Sequence, residues 1–378
     1  MKVLVGLSGG VDSAVAAYLL KQQGYDVTGA FMRNWDSYAN NDIMGNPTIK
    51  NDICPQEEDY MDAQKVADAL GIELLRVDFI KEYWDDVFTQ FLSEYKKGRT
   101  PNPDILCNKY IKFDAFFKFA YDNGFDKVAT GHYCRVTHDE NGSYLLKAVD
   151  LNKDQSYFLA QIDRKALDDT IFPLGEITKP EVRRIANELD LAVANKKDST
   201  GICFIGERNF REFLQNYMPA KEGNMIDVST GEVVGKHIGV LYYTIGQRKG
   251  LGIGGDQGRW FVVGKNVQTN ELYVANSHAT KWLYSDSCLV STVNWLKDVD
   301  LPFEGAAKFR YRQQDNPVTI EKYNDEMVLV RYPQKVASVT PGQQAVFYDG
   351  DVCIGGGVIE NTFLEGEDHE KVIEELVK

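Results

Sequence analysis

Apolar runs and amphipathic stretches alternate along the first two hundred residues. Val3 to Leu7 is an apolar run, and an amphipathic stretch from Ser13 to about Gln23 follows it and ends at Gly24. The alternation predicts further strands at Asp26 to Met32, Glu73 to Val77 and Lys127 to Tyr133, and further helices at Glu57 to Leu70, Lys81 to Lys97 and Asp104 to about Asn123. This order of elements predicts an α/β fold with a doubly wound parallel sheet.

The pattern changes from about Gly223. Short alternating runs, such as 239–244 and 260–263, are separated by turns rich in glycine and asparagine, and a second such segment extends from about 287 to 362. This half is therefore predicted to be β-rich. We expect four parts: residues 1–210, 211–281, 282–364 and an acidic tail, 365–378, that is either a short helix or frayed. Residues 34–56 are polar and irregular and are expected to be a surface insertion.

The turn after the first strand has the sequence S-G-G-V-D-S, from Ser8 to Ser13. Gly9 and Gly10 carry no Cβ, so consecutive backbone N–H groups can approach an anion closely, and the following helix directs its positive end at the same place. Ser8 and Ser13 add hydroxyl donors, and Asp12 either holds a magnesium ion or caps the helix. The loop is not an ATPase P-loop, because no lysine follows its glycines, and it is not the dinucleotide-binding fingerprint, because G-x-G-x-x-G is absent. We therefore predict a phosphate cradle, against the alternative of an ordinary strand–helix turn.

Composition narrows the class of protein. The 378 residues carry a net charge of −14, which argues against a general nucleic-acid coat. Basic residues nevertheless cluster at 96–112, and Lys308, Arg310 and Arg312 are predicted to share one strand face, opposite Phe309 and Tyr311. Such a face suits phosphate contacts, the alternative being a solvated edge that protects the sheet. The chain shows neither a signal peptide nor an apolar stretch long enough for a membrane span, so we expect a cytoplasmic protein.

Two of the six cysteines stand in settings that suggest chemistry. None of the six belongs to a C-x-x-C pair or to a zinc-ligand spacing. Cys107 is expected in the first turn of the helix predicted from Asp104, where the helix dipole and Lys109 would lower the thiol pKa from about 8.5. Asp104 could then act as general acid or base, although an N-cap aspartate beside a packed cysteine is the alternative. Cys203 lies between glycines in a predicted loop.

Four further residues are expected near the cradle, because ligands bind at the carboxyl ends of parallel strands. Met32 ends the second strand, where adenine could pack on it, although core packing is the ordinary role of a methionine. Gly131 and His132 end another strand, where the glycine could let the backbone approach a nucleotide and the histidine could contact a substrate or be structural. Lys153 is a candidate phosphate contact.

Five motifs together resemble the tRNA-specific 2-thiouridylases, and S-G-G-V-D-S alone resembles the wider N-type ATP pyrophosphatases. The other four are P-N-P-D-I-L-C-N at 101–108, A-T-G-H-Y at 129–133, K-D-Q-S-Y-F-L at 153–159 and D-S-T-G-I-C-F-I-G at 198–206. The resemblance extends in order over nearly the whole chain. It implies an adenine nucleotide α-hydrolase-like catalytic domain, a small central domain and a C-terminal β-barrel that grips tRNA.

The resemblance also implies the binding residues. ATP and Mg²⁺ would be held by the cradle and its neighbours, namely Gly6, Leu7, Ser8, Gly9, Gly10, Val11, Asp12, Ser13, Met32 and Gly131. The tRNA would be held by Asn102, Pro103, Asp104, His132, Lys153, Asp154, Gln155, Tyr311, Arg312 and Gln344. The partners implied are a tRNA with a wobble uridine and an upstream persulfide donor, with neither DNA nor a membrane.

The implied reaction replaces the C2 oxygen of the wobble uridine by sulfur. ATP would adenylate this oxygen, which then leaves as AMP after pyrophosphate has been released. Cys203 would carry the persulfide, Cys107 would release its sulfur and close a transient Cys107–Cys203 disulfide, and Asp104 would manage protons. Whether Cys107 attacks the base or the persulfide stays open, as do the sulfur donor, the preferred tRNAs and the oligomeric state. The alternatives are a synthetase of the argininosuccinate or asparagine type and a non-catalytic, ATP-dependent RNA-binding protein.

Overall fold

A five-stranded parallel sheet forms the first part of the computed structural model, which describes residues 1–44, 46, 55–198, 201, 205, 209–254, 258–278 and 280–377. Its first elements in chain order are β1 (Lys2–Gly6), α1 (Val11–Gln22), β2 (Asp26–Arg33), α2 (Pro55–Leu70) and β3 (Leu74–Asp78). The predicted strands and helices of this stretch are confirmed. Their alternation comes from apolar runs that can be buried on both faces only when helices cover each side of the sheet.

Two long helical stretches follow, each interrupted by a π-helical segment. The first comprises α3 (Ile80–Glu82), a π segment (Tyr83–Phe88) and α4 (Thr89–Lys96), and the second comprises α5 (Pro103–Cys107), a π segment (Asn108–Ala115) and α6 (Phe116–Asp122). Both stretches pack on one face of the sheet, whereas α1 and α2 pack on the other. Within β1 the two faces alternate, because Leu4 contacts the first set and its neighbours Val3 and Val5 contact the second.

The sheet is completed by two short strands on the other side of β1. The remaining elements of this part are β4 (Lys127–Ala129), the hairpin β5 (Cys134–Asp139) and β6 (Gly142–Lys147), β7 (Thr170–Ile171), α7 (Lys179–Glu188) and α8 (Phe210–Gln215). The order across the sheet is β3-β2-β1-β4-β7, so the chain reverses its direction of winding between β1 and β4. That reversal point is where doubly wound sheets bind ligands. The strand predicted for 127–133 ends four residues early, because residues 130–133 leave the sheet edge to reach the loop after β1.

The second part is a four-stranded sheet in the order β10-β11-β8-β9. Its strands are β8 (Gly223–Asp227), β9 (Val233–His237), β10 (Trp260–Asn266) and β11 (Glu271–Asn276). The strand predicted at 239–244 is wrong: this segment forms a 3₁₀ turn at Val240–Tyr242, preceded by Gly239 at φ +152°. The positive φ of the glycine breaks the extended backbone that the alternating pattern suggested.

The third part is a closed six-stranded β-barrel. Its strands are β12 (Tyr284–Trp295), β13 (Phe303–Lys308), β14 (Asn316–Lys322), β15 (Met327–Ala337), β16 (Gln344–Asp349) and β17 (Val352–Leu364). Pairing of β12 with both β15 and β17 closes the barrel. The hairpin β5–β6 extends the same sheet, because β6 pairs with β17 through Leu145 and Leu146. A hairpin of the first part is thus hydrogen-bonded to the barrel sheet of the third part.

The acidic tail is an ordered helix. After β18 (Glu367–Asp368), α9 (His369–Leu376) begins at an N-cap aspartate and buries Ile373 against the second part. Of the two alternatives for this segment, the short helix is therefore correct. Among the helices that the structure describes, none is long and apolar enough to cross a membrane.

Candidate functional site

The loop between β1 and α1 is shaped by its own glycines and serines. Gly9 adopts φ +73°, and a Cβ placed on it would lie 2.2 Å from the carbonyl oxygen of Asp59, so only glycine fits. The Ser8 N–H donates to Ser13 Oγ (3.1 Å), whose hydroxyl donates to the carbonyl of Gly10 (3.1 Å). Ser13 therefore holds the loop in shape, whereas the side chain of Ser8 is exposed. We keep the name cradle for residues 8–13.

Asp12 does not cap α1. The N-cap is Gly10, which offers no side-chain hydrogen bond, so that alternative for Asp12 is wrong. Instead the Asp12 carboxylate accepts hydrogen bonds from Lys179 Nζ (2.7 and 2.8 Å) and from the Tyr133 hydroxyl (2.7 Å). These two partners come from the ends of other elements, and they fix the carboxylate at the mouth of the cradle.

Gly131 and Met32 line the strand ends beside the cradle. A Cβ on Gly131 would lie 2.9 Å from the backbone nitrogen of Ser13, so the chain after β4 touches the cradle only because residue 131 is glycine. The Met32 methyl group lies 3.2 Å from where a Cβ on Gly6 would stand, and the Met32 side chain is buried in the core. Gly131 thus touches the cradle and Met32 lies beside Gly6 just before it, and the nucleotide contacts of both residues stay predictions.

Lys179 is the centre of a charge cluster that the sequence analysis did not assign. Its ammonium group is buried and bridges two carboxylates, because Nζ also lies 2.8 Å from Asp198 Oδ1. Asp198 is paired further with Lys153 (2.7 Å) and Arg183 (2.7 Å). Partial burial by itself would raise the pKa of Asp198, but hydrogen bonds from Lys153 and Lys179 lower it far below its ordinary value. Asp198 is therefore ionised at neutral pH.

A second lysine contacts the cradle at Gly9, away from Asp12 in sequence. Lys196 Nζ donates to the carbonyl of Gly9 (3.0 Å) and pairs with Asp59 (2.7 Å) and Asp62 (2.8 Å). Lys196 and Lys179 thus place positive charge on two sides of the cradle. The available signals were that Lys179 stands in T-K-P-E, a sequence typical of a helix start, and that Asp198 opens the D-S-T motif, but nothing local links either residue to Asp12.

The helix that carries Cys107 begins at Pro103, and its cap is Asn102. The Asn102 side chain accepts from the N–H groups of Asp104 (3.1 Å) and Ile105 (3.4 Å), so the alternative of an aspartate cap is wrong. Cys107 is consequently the fifth helical residue rather than the fourth, and its side chain is fully buried. The helix dipole therefore stabilises a Cys107 thiolate less than predicted, because the effect of the dipole falls off within the first turn.

Cys203, the residue predicted to carry the persulfide, lies outside the described residues. Its disulfide with Cys107 therefore stays a prediction. Cys134, Cys288 and Cys353 are buried free thiols. Burial raises the pKa of the Cys353 thiol to about 12. Such a thiol is inert at neutral pH.

His132 and Asp154 are turned into the protein. The ring of His132 lies between Phe113 and Phe172, and its Nδ1 is hydrogen-bonded to Thr130 Oγ1 (2.8 Å). Burial lowers its pKa well below the ordinary value, with the charge of Lys112 acting in the same direction, so the ring is neutral at pH 7. The carboxylate of Asp154 is also buried. Neither side chain is exposed to a ligand in this conformation, and their contact with tRNA stays a prediction.

Segments that are distant in sequence converge around Tyr157 and Phe158. The Phe158 carbonyl accepts from Asn108 Nδ2 (3.0 Å), and the ring of Phe158 packs on Tyr311 with centroids 4.4 Å apart. The Tyr157 hydroxyl donates to the carbonyl of Gln344 (3.1 Å). The structure therefore brings the helix that follows 102–104 and the turn that follows 153–155 together with barrel positions 311 and 344, and the resemblance assigns 102–104, 153–155, 311 and 344 to tRNA.

The predicted cationic strand face is wrong. β13 ends at Lys308 and lies between β14 and β16, so it is not an edge strand. Lys308 is buried, whereas Arg310 and Arg312 follow in a turn and are exposed, with Arg312 at φ +64° beside the ring of Tyr311. The barrel core holds the neighbours of Lys308, Ala307 and Phe309, so Lys308 lies on the outer side of β13, where Asp154 and the first part of the chain cover it.

Three family models match the chain in succession. They are described as a tRNA methyl transferase HUP domain (residues 1–207), a tRNA methyl transferase PRC-barrel domain (211–276) and an aminomethyltransferase beta-barrel domain (285–359). Full-length relatives named tRNA-specific 2-thiouridylase MnmA are also similar. That of Mycoplasma capricolum is 56% identical over 370 residues, covering 96% of this chain and 99% of the relative. Those of Mycoplasmopsis synoviae and Staphylococcus saprophyticus are 57% and 54% identical, each covering 96% of both chains.

Proposed function

The chain belongs to the tRNA-specific 2-thiouridylase family, and on that premise we propose that it replaces the C2 oxygen of the wobble uridine of tRNA by sulfur at the expense of ATP. The observation that carries the proposal is the cradle with the buried Lys179 ammonium beside it, held between Asp12 and Asp198. A triphosphate needs this combination of backbone donors and buried cations. Methyl transfer, which two family-model descriptions name, needs no triphosphate site.

In this proposal ATP is a substrate held by the cradle. Backbone N–H groups of Gly9 and Gly10 bind phosphate oxygens at the positive end of α1. Lys179 and Lys196 approach from two sides, and each can exchange a carboxylate partner for a phosphate oxygen. These fixed charges would stabilise the negative charge that develops on the leaving pyrophosphate.

The residues at the cradle also fit a magnesium ion. Asp12 and Asp198 direct carboxylate oxygens at one cationic atom, Lys179 Nζ, and two such carboxylates are the usual protein share of a Mg²⁺ site completed by phosphates and water. Within the described part of the chain, no group of three or more acidic, histidine or cysteine side chains could hold a metal alone. Mg²⁺ bound there would neutralise charge on the triphosphate.

Adenylation makes the uridine oxygen able to leave. The C2 oxygen attacks the α-phosphorus of ATP, the bond to pyrophosphate breaks, and C2 becomes bonded to an oxygen that departs as AMP. Sulfur from the Cys203 persulfide forms the new bond to C2. Cys107 forms a disulfide with Cys203 as the persulfide S–S bond breaks, and one equivalent of an external dithiol, or two of a monothiol, restores both thiols and leaves as the disulfide. Asp104, half-buried one helical turn from Cys107, handles the proton.

The tRNA is proposed to lie across the barrel and the segments that converge on Phe158. Tyr311 presents an aromatic face and Arg312 an exposed cation at this place, which suits a base and a phosphate. A protein or small-molecule persulfide donor completes the set of partners.

Nucleoside analysis tests the proposed function. The protein is incubated with ATP, a persulfide donor and tRNA isolated from a strain that lacks wobble 2-thiouridine, and the digested nucleosides are separated by mass spectrometry. We expect 2-thiouridine to form only when ATP is present. Thiolation at another position, or methylated uridine without thiouridine, would contradict the proposal.

Replacing Lys179 by methionine is expected to weaken ATP binding by roughly 10- to 100-fold, because a hydrogen bond to a charged group is worth about 1.5–3 kcal/mol. The loss also leaves Asp12 and Asp198 less neutralised, which repels the triphosphate. Equilibrium dialysis with labelled ATP measures the effect without turnover. Lys165→Met, at an exposed lysine, is the matched control and should bind ATP as the wild type does. Equal affinity in the two variants would place the triphosphate elsewhere.

Replacing Arg312 by glutamine is expected to weaken tRNA binding and to reduce the slope of log Kd against log salt by about 0.7–0.9, the value for one phosphate contact. Filter binding over a range of salt concentrations gives both quantities. Arg331→Gln is the control, since Arg331 is an exposed barrel arginine paired with Glu321. An unchanged slope for Arg312→Gln would move the RNA surface away from this turn.

A further inference from the structure

Four charged side chains meet at the seam between the hairpin β5–β6 and the barrel, and we call them the seam cluster: Lys147, Asp154, Lys308 and Asp315. Lys308 Nζ lies 3.4 Å from Asp154 Oδ2 and 3.8 Å from Asp315 Oδ1. Lys147 Nζ lies 2.5 Å from Asp315 Oδ2. The two lysines and Asp154 are buried, and Asp315 stands at the rim.

The cluster is packed around one aromatic ring. Tyr348 is fully buried, and its ring centroid lies 4.4 Å from Lys147 Nζ and 5.2 Å from Lys308 Nζ. The Tyr348 hydroxyl is hydrogen-bonded to Ser156 Oγ (3.2 Å). Charges in such a setting are costly unless their partners stay in place, so the seam tolerates little relative displacement of its two sides.

Both carboxylate oxygens of Asp154 are engaged inside the protein. Oδ1 accepts from the N–H groups of Ala148 (3.1 Å) and Ser156 (3.2 Å), and Oδ2 accepts from the Ser156 hydroxyl (2.9 Å) and from Lys308. The Asp154 side chain is only 2% exposed. Its interactions are therefore with the barrel and with its own turn, which is the setting of an anchor rather than of the tRNA contact that the family resemblance implies.

The residues on either side of Asp154 lead to the cradle. Lys153 pairs with Asp198 (2.7 Å). Gln155 exchanges two hydrogen bonds of 2.9 Å with the backbone of Tyr133, whose hydroxyl donates to Asp12. Both routes end on the carboxylates that share Lys179. Residues 153–155 thus connect the barrel to the cradle through three consecutive side chains.

We propose that Asp154 and Lys308 are positioning residues that hold the catalytic crevice in register with tRNA bound on the barrel. The inference rests on the proposed function, since it assigns tRNA to the barrel and ATP to the cradle. A shift of Asp154 would move Lys153 and Gln155 together and so displace Asp12 and Asp198. Misplacement of catalytic groups by about 1 Å can lower a rate by roughly 100-fold without weakening binding.

The test compares Asp154→Asn, Lys308→Met and the double variant with Lys335→Met, an exposed barrel lysine paired with Glu365. For each protein, tRNA Kd over a range of salt, ATP affinity, thiolation kcat at saturating tRNA and the melting temperature are measured. Each single variant should lower kcat by roughly 10- to 100-fold and change tRNA Kd by less than about threefold, with an unchanged salt slope. The double variant should recover part of kcat, because neither buried charge is then left without its partner.

Three results would overturn the inference. One is wild-type kcat in both single variants. A second is a fall in tRNA affinity with a smaller salt slope for Lys308→Met, which would show a phosphate contact. The third is a double variant whose loss equals the product of the single losses. Absence of thiolation by the wild type would instead reject the proposed function itself.

Ser156→Ala provides a second test of the positioning role in case the Asp154 and Lys308 variants do not fold. This change removes one hydrogen bond to Asp154 Oδ2 and one to Tyr348, and it leaves no charge unpaired. It should lower kcat by about 3- to 10-fold at unchanged tRNA Kd, a smaller loss than in the charge variants because the Ser156 N–H and Lys308 still hold Asp154. Full kcat in this variant would overturn the proposed positioning role.

Discussion

Replacing Cys107 by serine is expected to abolish thiolation, by roughly 10³-fold or more, as is usual for removal of a nucleophile. A serine hydroxyl is not ionised at neutral pH and cannot form the disulfide that releases sulfur from the persulfide. Because Cys107 is fully buried and serine is nearly isosteric, the fold and the tRNA surface should remain. Single-turnover assays with persulfide-loaded protein measure the rate, and filter binding checks that tRNA Kd is unchanged. We expect the same result for Cys203→Ser.

Cys288→Ser is the matched control for this prediction. Cys288 is also fully buried but lies on β12 of the barrel, and burial raises the pKa of its thiol far above the ordinary value. The control should thiolate tRNA at nearly the wild-type rate. Substantial thiolation by Cys107→Ser would reject the two-thiol scheme and make Cys203 sufficient.

Replacing Asp12 by alanine is expected to abolish release of pyrophosphate, with a loss of roughly 10²- to 10³-fold or more, as for other preorganised charged groups. The change removes one of the two carboxylates proposed for Mg²⁺, leaves Lys179 paired only with Asp198, and takes away the partner of the Tyr133 hydroxyl. Pyrophosphate release with labelled ATP and tRNA measures the effect.

Asp12→Asn shows in the same experiment whether the loss of activity comes from the lost charge of Asp12 or from a change in the shape of the loop. Asparagine can still accept the hydrogen bond from Tyr133, so the loop should keep its shape while the charge is lost. We expect Asp12→Asn to be nearly as inactive as Asp12→Ala at an unchanged melting temperature. A wild-type rate in the asparagine variant would show that the charge of Asp12 has no role in activation.

The catalytic part of the fold was predictable because its signals are local. Val3 to Leu7, the two glycines and the helix that follows lie within one short segment, and each element has its own periodicity. The position of Gly131 beside the cradle also follows from a general rule, since β4 neighbours β1 at the point where the winding reverses. The roles of the motifs came from the family resemblance.

The charge cluster was not predictable, because its members are far apart in the chain. Lys179 reaches Asp12 only after α7 packs beside α1, Asp198 joins them through Lys179, and neither residue stands in a spacing that marks a phosphate site. A lysine at the start of a helix is ordinary in sequence. Its burial and its two carboxylate partners are properties of the fold.

Polar residues were predicted to be exposed at two places where the structure buries them. Lys308 continues a strand pattern, but it is buried on the outer side of the barrel against Tyr348, and Asp154 is its counter-charge. The expected surface insertion is likewise anchored by Trp35, which is buried and donates to Asp42 Oδ2 (3.1 Å). Hydrophobic periodicity predicts that a segment is a strand or a helix, but it does not predict which other segment packs on the polar face of that element.

An oxygen-isotope experiment tests the central claim most directly. A tRNA is prepared with ¹⁸O at C2 of the wobble uridine and is thiolated in a single turnover with unlabelled ATP, the persulfide-loaded protein and ordinary water. We expect the phosphoryl group of the released AMP to carry one ¹⁸O for each 2-thiouridine formed. If thiouridine forms while the label appears in water or in pyrophosphate, the uridine oxygen is not adenylated and the proposed use of the cradle is contradicted.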